Sequence, residues 1–171
     1  MVLPGDELVA VYDAGGTVVG RARRAEVRAS GLWHAAGVVL VRSGDGNRVY
    51  VHLRSPDKDV FPGAHDCWAG GVVAAGETPA ECARRELAEE LGVEGVSPVP
   101  LFTHVFDVPP IRCHNFAYEV RWDGPIVHQP EEIVDGGWMP LDDLYEWARD
   151  PGGPLVPDGR VGLLEWFRRF G

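Results

Sequence analysis

Gly71-Val-Val-Ala-Ala-Gly-Glu77-Thr78-Pro79-Ala-Glu81-Cys82-Ala-Arg-Arg85-Glu86-Leu87-Ala-Glu89-Glu90-Leu91-Gly92-Val93 is the stretch on which the reading of this chain turns. It predicts a helix over residues 79–91. Thr78 suits the N-cap, Pro79 the first helical position, and Glu81 completes a Thr-x-x-Glu capping box. Gly92 is a natural stop. Ala80, Ala83, Leu87 and Leu91 fall on one stripe and are expected to face a core. The opposite face carries Glu86, Glu89 and Glu90, three and four residues apart and therefore side by side. Carboxylates so crowded repel one another unless they are well solvated or share a cation. Mg²⁺ takes hard oxygen ligands and needs only a few carboxylates when substrate phosphates complete its shell. A solvated helix face is the plain alternative.

The surrounding residues decide between the two. The stretch resembles the signature of the Nudix hydrolase family, G-x5-E-x7-R-E-U-x-E-E-x-G-U, where U is a bulky aliphatic residue. Gly71, Glu77, Arg85, Glu86, Leu87, Glu89, Glu90, Gly92 and Val93 fill its nine defined positions. A chance match is on the order of one in 10⁹ per starting position, so the solvated-face reading gives way. The resemblance implies Mg²⁺ as cofactor, with Mn²⁺ as a possible substitute. Glu86, Glu89 and Glu90 would be the main metal ligands, one of them also activating water. Gly70 would offer its backbone carbonyl to the metal, Glu77 would contribute to the outer metal shell, and Arg85 would orient the carboxylates. The implied fold is an α+β, α/β/α sandwich around a mixed sheet.

Outward from this segment, Leu8–Tyr12 reads as a strand turned at residues 13–16, with Val18 starting a return strand. Residues 21–27 are basic and read as irregular or helical. Strands are expected over residues 33–41, 49–53, 102–108, 116–122 and 133–139, with a loop over 55–64. Two closing helices, residues 141–149 and 161–170, flank a Pro/Gly-rich linker at 151–159. The chain reads as one domain, 1–171, in which residues 1–30 form a β-hairpin extension.

The 171 residues are 45% hydrophobic and 25% charged, with a formal net charge of −10. That balance argues against sequence-independent nucleic-acid binding, which needs a basic face. No apolar run approaches the roughly 20 residues of a membrane helix. The N-terminus lacks the pattern of a signal peptide. Cys67, Cys82 and Cys113 do not suggest a disulfide framework, and a cytoplasmic location is expected. Cys67 and Cys82 read as packed residues.

The N-terminal half resembles the branch containing isopentenyl-diphosphate isomerase. The isomerase's own residues are missing: Gly70 stands at its catalytic cysteine, Cys67 lies three residues too early, and the later acidic pair has no counterpart in Arg112-Cys113-His114-Asn115. Of its metal-binding histidines only His34 has a matching position, and His34 reads more readily as a packed histidine than as a ligand. Glu132 is the candidate general base, with Glu131 second and Asp135 nearby. Arg54 and Lys58 are candidates for gripping phosphate, with Arg28 weaker. Trp68, Phe102, Phe106 and Phe116 are candidates for stacking on a base, against a core role. The expected partner is a small-molecule nucleotide or other diphosphate. The expected reaction is in-line attack of metal-activated water on a diphosphate, first in a nucleoside 5′-di- or triphosphate, second in a nucleotide sugar or related NDP-X compound. The rivals are a prenyl-diphosphate isomerase and an idle nucleotide-binding module.

Overall fold

The computed structural model describes residues 2–171. After a short 3₁₀ turn the order is β1 (Leu8–Tyr12), β2 (Val18–Arg23), α1 (Arg24–Ser30), β3 (Trp33–Arg42), β4 (Arg48–Arg54), β5 (His65–Asp66), β6 (Trp68–Val72), α2 (Pro79–Leu91), β7 (Val99–Val108), β8 (Ile111–Arg121), β9 (Ile133–Pro140), α3 (Leu141–Arg149) and α4 (Pro157–Phe170). No helix among the described residues is long and apolar enough to cross a membrane.

β3 is the axis of the larger sheet. It pairs in parallel with β8 from Trp33↔Arg112 to Arg42↔Arg121. Its other edge is shared: β6 pairs antiparallel along residues 36–40, and β4 touches it only at Arg42↔Val49. The mixed sheet therefore divides into one part ordered β7-β8-β3-β6 and another ordered β9-β4-β5. The opening between these parts becomes the cleft.

The near-continuous apolar run of β3 follows from burial on both faces. Val39 and Val41, with Tyr118 and Val120 of β8, pack on Ala83, Leu87 and Leu91 of α2. Leu40 and Ala117 face the other way, onto Leu144, Ala148, Leu163 and Trp166 of α3 and α4. This is the expected α/β/α layering. The β1–β2 hairpin is a separate two-stranded sheet. It is laced to the segment before α2, where Ala10 N–H donates to the Val73 carbonyl at 3.1 Å and Ala75 N–H to that of Leu8 at 3.0 Å.

Helix α2 has the expected bounds, and Thr78 Oγ1 accepts the Glu81 N–H at 3.2 Å. Gly92 ends it in the left-handed region, at φ 65°. The apolar stripe is displaced from expectation. Ala80 is exposed, and burial begins at Cys82 and Ala83. The helix meets the sheet at Gly37 of β3, where an added Cβ would lie 2.7 Å from the Pro79 carbonyl oxygen and 2.8 Å from the Ala83 nitrogen. A glycine inside a strand often marks such close approach of another backbone. Gly37→Ala is expected to push α2 off the sheet and to cost about 1–3 kcal/mol, the range for overpacking. Urea denaturation measures this, and an unchanged midpoint would reject the contact.

Other boundaries also moved. Residues 21–27 divide between β2 and α1, rather than being irregular or wholly helical. β8 begins at Ile111, so Arg112 to Asn115 lie in a strand, and α4 begins at Pro157, which shortens the linker. The short strands β5 and β6 carry no recognisable pattern. In β6 the pair Gly70-Gly71 has low strand propensity, and the ladder to β3 overrides it.

Candidate active site

Arg85 organises the carboxylates. Its Nε and Nη2 donate to the two oxygens of Glu77 at 2.7 and 3.0 Å, and its Nη1 donates to Glu86 at 2.8 Å and to Glu89 at 3.3 Å. The planar guanidinium fork makes this bidentate grip possible. Burial pushes the Glu77 carboxyl up, but the Arg85 hydrogen bonds outweigh it and hold it below its usual range. Glu77 also accepts the Ala74 N–H at 3.1 Å, tying the loop before α2 to the helix.

Glu86, held by Arg85 on one side, faces Glu90 on the other. Glu90 is only 5% exposed. Burial raises the Glu86 carboxyl despite Arg85, and burial followed by the Glu86 charge raises Glu90 well above the ordinary range. Among the described residues no three acidic, histidine or cysteine side chains already converge on one point, and Glu89 is committed to Arg85. The Glu86–Glu90 pair still fits a hard divalent cation. Both carboxylates are taken out of water without a cation between them, a costly state that an ion would relieve. Space is kept beside them as well, since a Cβ at Gly71 would lie 2.5 Å from Glu86 Oε1. Gly71 is thus a strand position that must lack a side chain. Gly70 N–H donates to Glu90 Oε1 at 3.2 Å. Cys82 packs beneath, its thiol donating to the Gly71 carbonyl at 3.2 Å.

A cleft opens beside this pair. Its outer part, about 750 Å³, is bounded by Arg24 and Arg28 of α1, the 57–61 loop, Ile111, Glu131 and Glu132. A narrower inner trough of about 100 Å³ runs past Gly70 and Gly71. Glu132 is brought here, ion-paired with Lys58. Glu131 lines the rim, whereas Asp135 lies away from it, accepting the Gly136 N–H at 2.9 Å. Arg24, absent from the sequence reading, joins Arg28. Both lie within 3.6 Å of Asp59, and both keep an Nε without a hydrogen bond among the described residues. The N-terminal extension therefore supplies half of the basic lining.

Other candidates take structural places around the cleft, the aromatics and His34 as their packed alternatives had it. Arg54 lines the trough but donates to the carbonyls of Phe61 and Val60 at 3.2 and 2.7 Å, which fastens the 57–61 loop. Trp68 is 3% exposed, and its indole N–H donates to the Gly159 carbonyl at 3.0 Å. It forms part of the trough wall rather than an open stacking platform. Phe102 and Phe116 belong to the two cores, and Phe106 packs edge-on against Phe61. His34 is buried, with Nδ1 on the Leu32 carbonyl at 3.1 Å and Nε2 facing Arg28 at 3.3 Å. Burial lowers it to about 4, which fits a neutral, packed histidine.

Asp66 and Asp158 line the same trough as Arg28 and Arg54. Burial, reinforced by the Asp158 charge, pushes the Asp66 carboxyl up to about 7, while Arg54 and the Trp68 N–H pull the other way. A carboxyl raised on folding contributes its full stability below the unfolded value near 4 and loses it as pH rises toward 7. Asp66→Asn removes that loss. Its unfolding free energy relative to wild type is expected to grow between pH 4 and pH 8 by on the order of a few kcal/mol. Denaturant titrations across that interval test this, and a difference independent of pH would reject it.

The family model of the NUDIX domain matches residues 31–158. The chain is 50% identical over 172 residues to a Nudix hydrolase of Rhodococcus erythropolis, covering 95% of this chain and 93% of the relative. It is 30% identical over 167 residues to the Nudix hydrolase YfcD of Escherichia coli, covering 98% and 90%. The crystal structure of DR0079 from Deinococcus radiodurans superposes with a TM-score of 0.78 at 27% identity, over 93% of this chain and 98% of that one. With a complete signature motif, a family match across most of its length and relatives of the same layout, the chain belongs to the Nudix hydrolase family, the enzymes that cleave diphosphate linkages.

Proposed function

We propose that this protein hydrolyses a diphosphate linkage in a nucleoside diphosphate derivative in the presence of Mg²⁺. A nucleoside 5′-di- or triphosphate is the first substrate class and a nucleotide sugar or other NDP-X compound the second. The observation that carries the reading is the pair of buried Glu90 and half-buried Glu86 at the edge of a cleft lined by Arg24, Arg28 and Lys58. Glu86, Glu90 and the Gly70 carbonyl would hold the ion, with Glu89 completing the set on release from Arg85 and Glu77 in the outer shell. Mg²⁺, or Mn²⁺ in its place, would neutralise phosphate charge and activate the attacking water.

The chain's own groups supply the remainder. The arginines and Lys58 meet phosphate oxygens. Phosphate binding draws Lys58 from Glu132 and leaves that carboxylate free to take a proton from the attacking water. Arg85 keeps Glu86 oriented. A reducing, cytoplasmic setting accords with three buried free cysteines. The isomerase reading lacks a thiol at position 70, and an idle binding module does not need every acid of the set.

A screen of nucleoside di- and triphosphates, nucleotide sugars and dinucleotides, with Mg²⁺ and with EDTA, tests the reading. Metal-dependent release of phosphate or nucleotide is expected. Isomerisation of a prenyl diphosphate without turnover of any nucleotide would reverse it.

A further inference from the structure

The inner trough holds polar groups that diphosphate chemistry leaves unused. Asn115, on the face of β8 that lines the trough, is 3% exposed. Its Oδ1 accepts the Cys113 thiol at 3.7 Å, and among the described residues its Nδ2 meets no acceptor. A buried donor without a partner costs about 1–3 kcal/mol, so an incoming acceptor has something to gain there. Asp66 and Asp158 line the same space as acceptors. Asp66 Oδ1 takes the Trp68 N–H at 3.0 Å and Asp158 Oδ1 the Gly159 N–H at 2.9 Å, which leaves each carboxylate with further acceptor capacity.

The occupant must therefore donate and accept at once. A phosphate accepts from Asn115 and the arginines, but it has no proton to offer Asp66 and Asp158. An ammonium donates, but it offers Asn115 nothing and meets Arg28 and Arg54. A hydroxyl does both. The trough's roughly 100 Å³ equals about three water volumes, enough for the hydroxyl edge of a sugar ring. The outer cleft of about 750 Å³ leaves room for a base. Gly70 and Gly71 line the trough and also touch Glu90 and Glu86. A group seated there lies next to the phosphate being cut, as a ribose bonded through its 5′ oxygen does.

We propose that this trough seats the ribose hydroxyls of the nucleotide, with Asn115 donating to one hydroxyl oxygen and Asp66 and Asp158 accepting hydroxyl protons. The inference rests on the nucleotide reading above. The test compares kcat/KM for the four nucleoside triphosphates and their 2′,3′-dideoxy counterparts in wild type, Asn115→Leu and Asp66→Asn, with folding of each variant followed by circular dichroism. Wild type is expected to prefer the ribose form by about tenfold or more, chiefly through KM, the worth of one or two hydrogen bonds to charged or buried groups. In both variants that ratio falls toward unity. An undiminished ratio in either folded variant, or equal use of both sugars by wild type, would overturn the trough assignment and leave the hydrolase intact. No turnover of any of these nucleotides, nor of any nucleoside diphosphate or nucleotide sugar, would remove the nucleotide reading and the ribose seat with it.

Discussion

Glu90→Gln is expected to lower kcat for the best diphosphate substrate by about 10²- to 10³-fold, the usual cost of losing one preorganised charge-stabilising group. Glu86→Gln should match it. Glu89→Gln should cost less, because the Glu89 side chain is 48% exposed and shares its contact with Arg85. The same substitution should move stability in the opposite direction. Glu90 is fully inside, its carboxyl raised by burial and by Glu86, so folding near neutral pH must either hold its charge against another carboxylate or take up a proton. An amide keeps the oxygen that accepts the Gly70 N–H while removing the charge. Without divalent metal, the Glu90→Gln melting temperature should therefore exceed that of wild type by several degrees, about 2–4 °C per kcal/mol in a chain of this size. Added Mg²⁺ should then stabilise wild type more than the variant, since only the carboxylate pair gains from the ion. Turnover undiminished in both Glu86→Gln and Glu90→Gln would sink the site assignment. A lower metal-free melting temperature in Glu90→Gln would reject the repulsive-pair account while leaving the catalytic one standing.

Arg85→Lys is the second large effect, although it conserves charge. Four hydrogen bonds to carboxylates leave this guanidinium, two of them in parallel to Glu77. An ammonium is a single point donor and cannot span Glu77, Glu86 and Glu89 together. The Mg²⁺ concentration for half-maximal activity is expected to rise about 10- to 100-fold, as when groups behind metal ligands are lost. Stability should fall by about 1–3 kcal/mol, below the figure for a fully buried pair because Arg85 is about one-third exposed. Glu77→Gln should be strongly non-additive with Arg85→Lys, since both remove the same contact. Additive losses in the double variant would show that Glu77 and Arg85 act apart.

The N-terminal segment shows how function entered where the family model does not reach. That model begins at residue 31, yet α1 lies before it and carries Arg24 and Arg28 into the cleft. Residues 21–27 are basic in the sequence, but their meaning depends on β1 and β2 folding onto residues 73–75 and turning α1 over the opening. Asn115 is similar. Strand alternation within residues 111–121 gives it a face, and only the parallel pairing to β3 together with the arrival of α4 makes that face the wall of a trough. Gly37 carries no local signal beyond being a glycine in a strand. Its necessity appears when the backbone of α2 is found pressed against it.

What the sequence determined by itself is local or strongly periodic. The capped helix over residues 79–91 follows from Thr78, Pro79 and Gly92, because caps and φ preferences act within a turn of the chain. The side-by-side carboxylates follow from helical spacing, and Arg85 one turn before Glu89 puts its guanidinium within reach of the set. The reaction class follows from that segment. Tertiary structure decided whatever depends on pairs distant in sequence. It buried Glu90, committed Arg54 and Trp68 to the cleft wall, paired Lys58 with Glu132, and brought Asn115, Asp66 and Asp158 to one trough. Burial and desolvation belong to the packed assembly and not to any one residue, so a glutamate that ends in water and one that ends buried look the same until the strand beside it is in place.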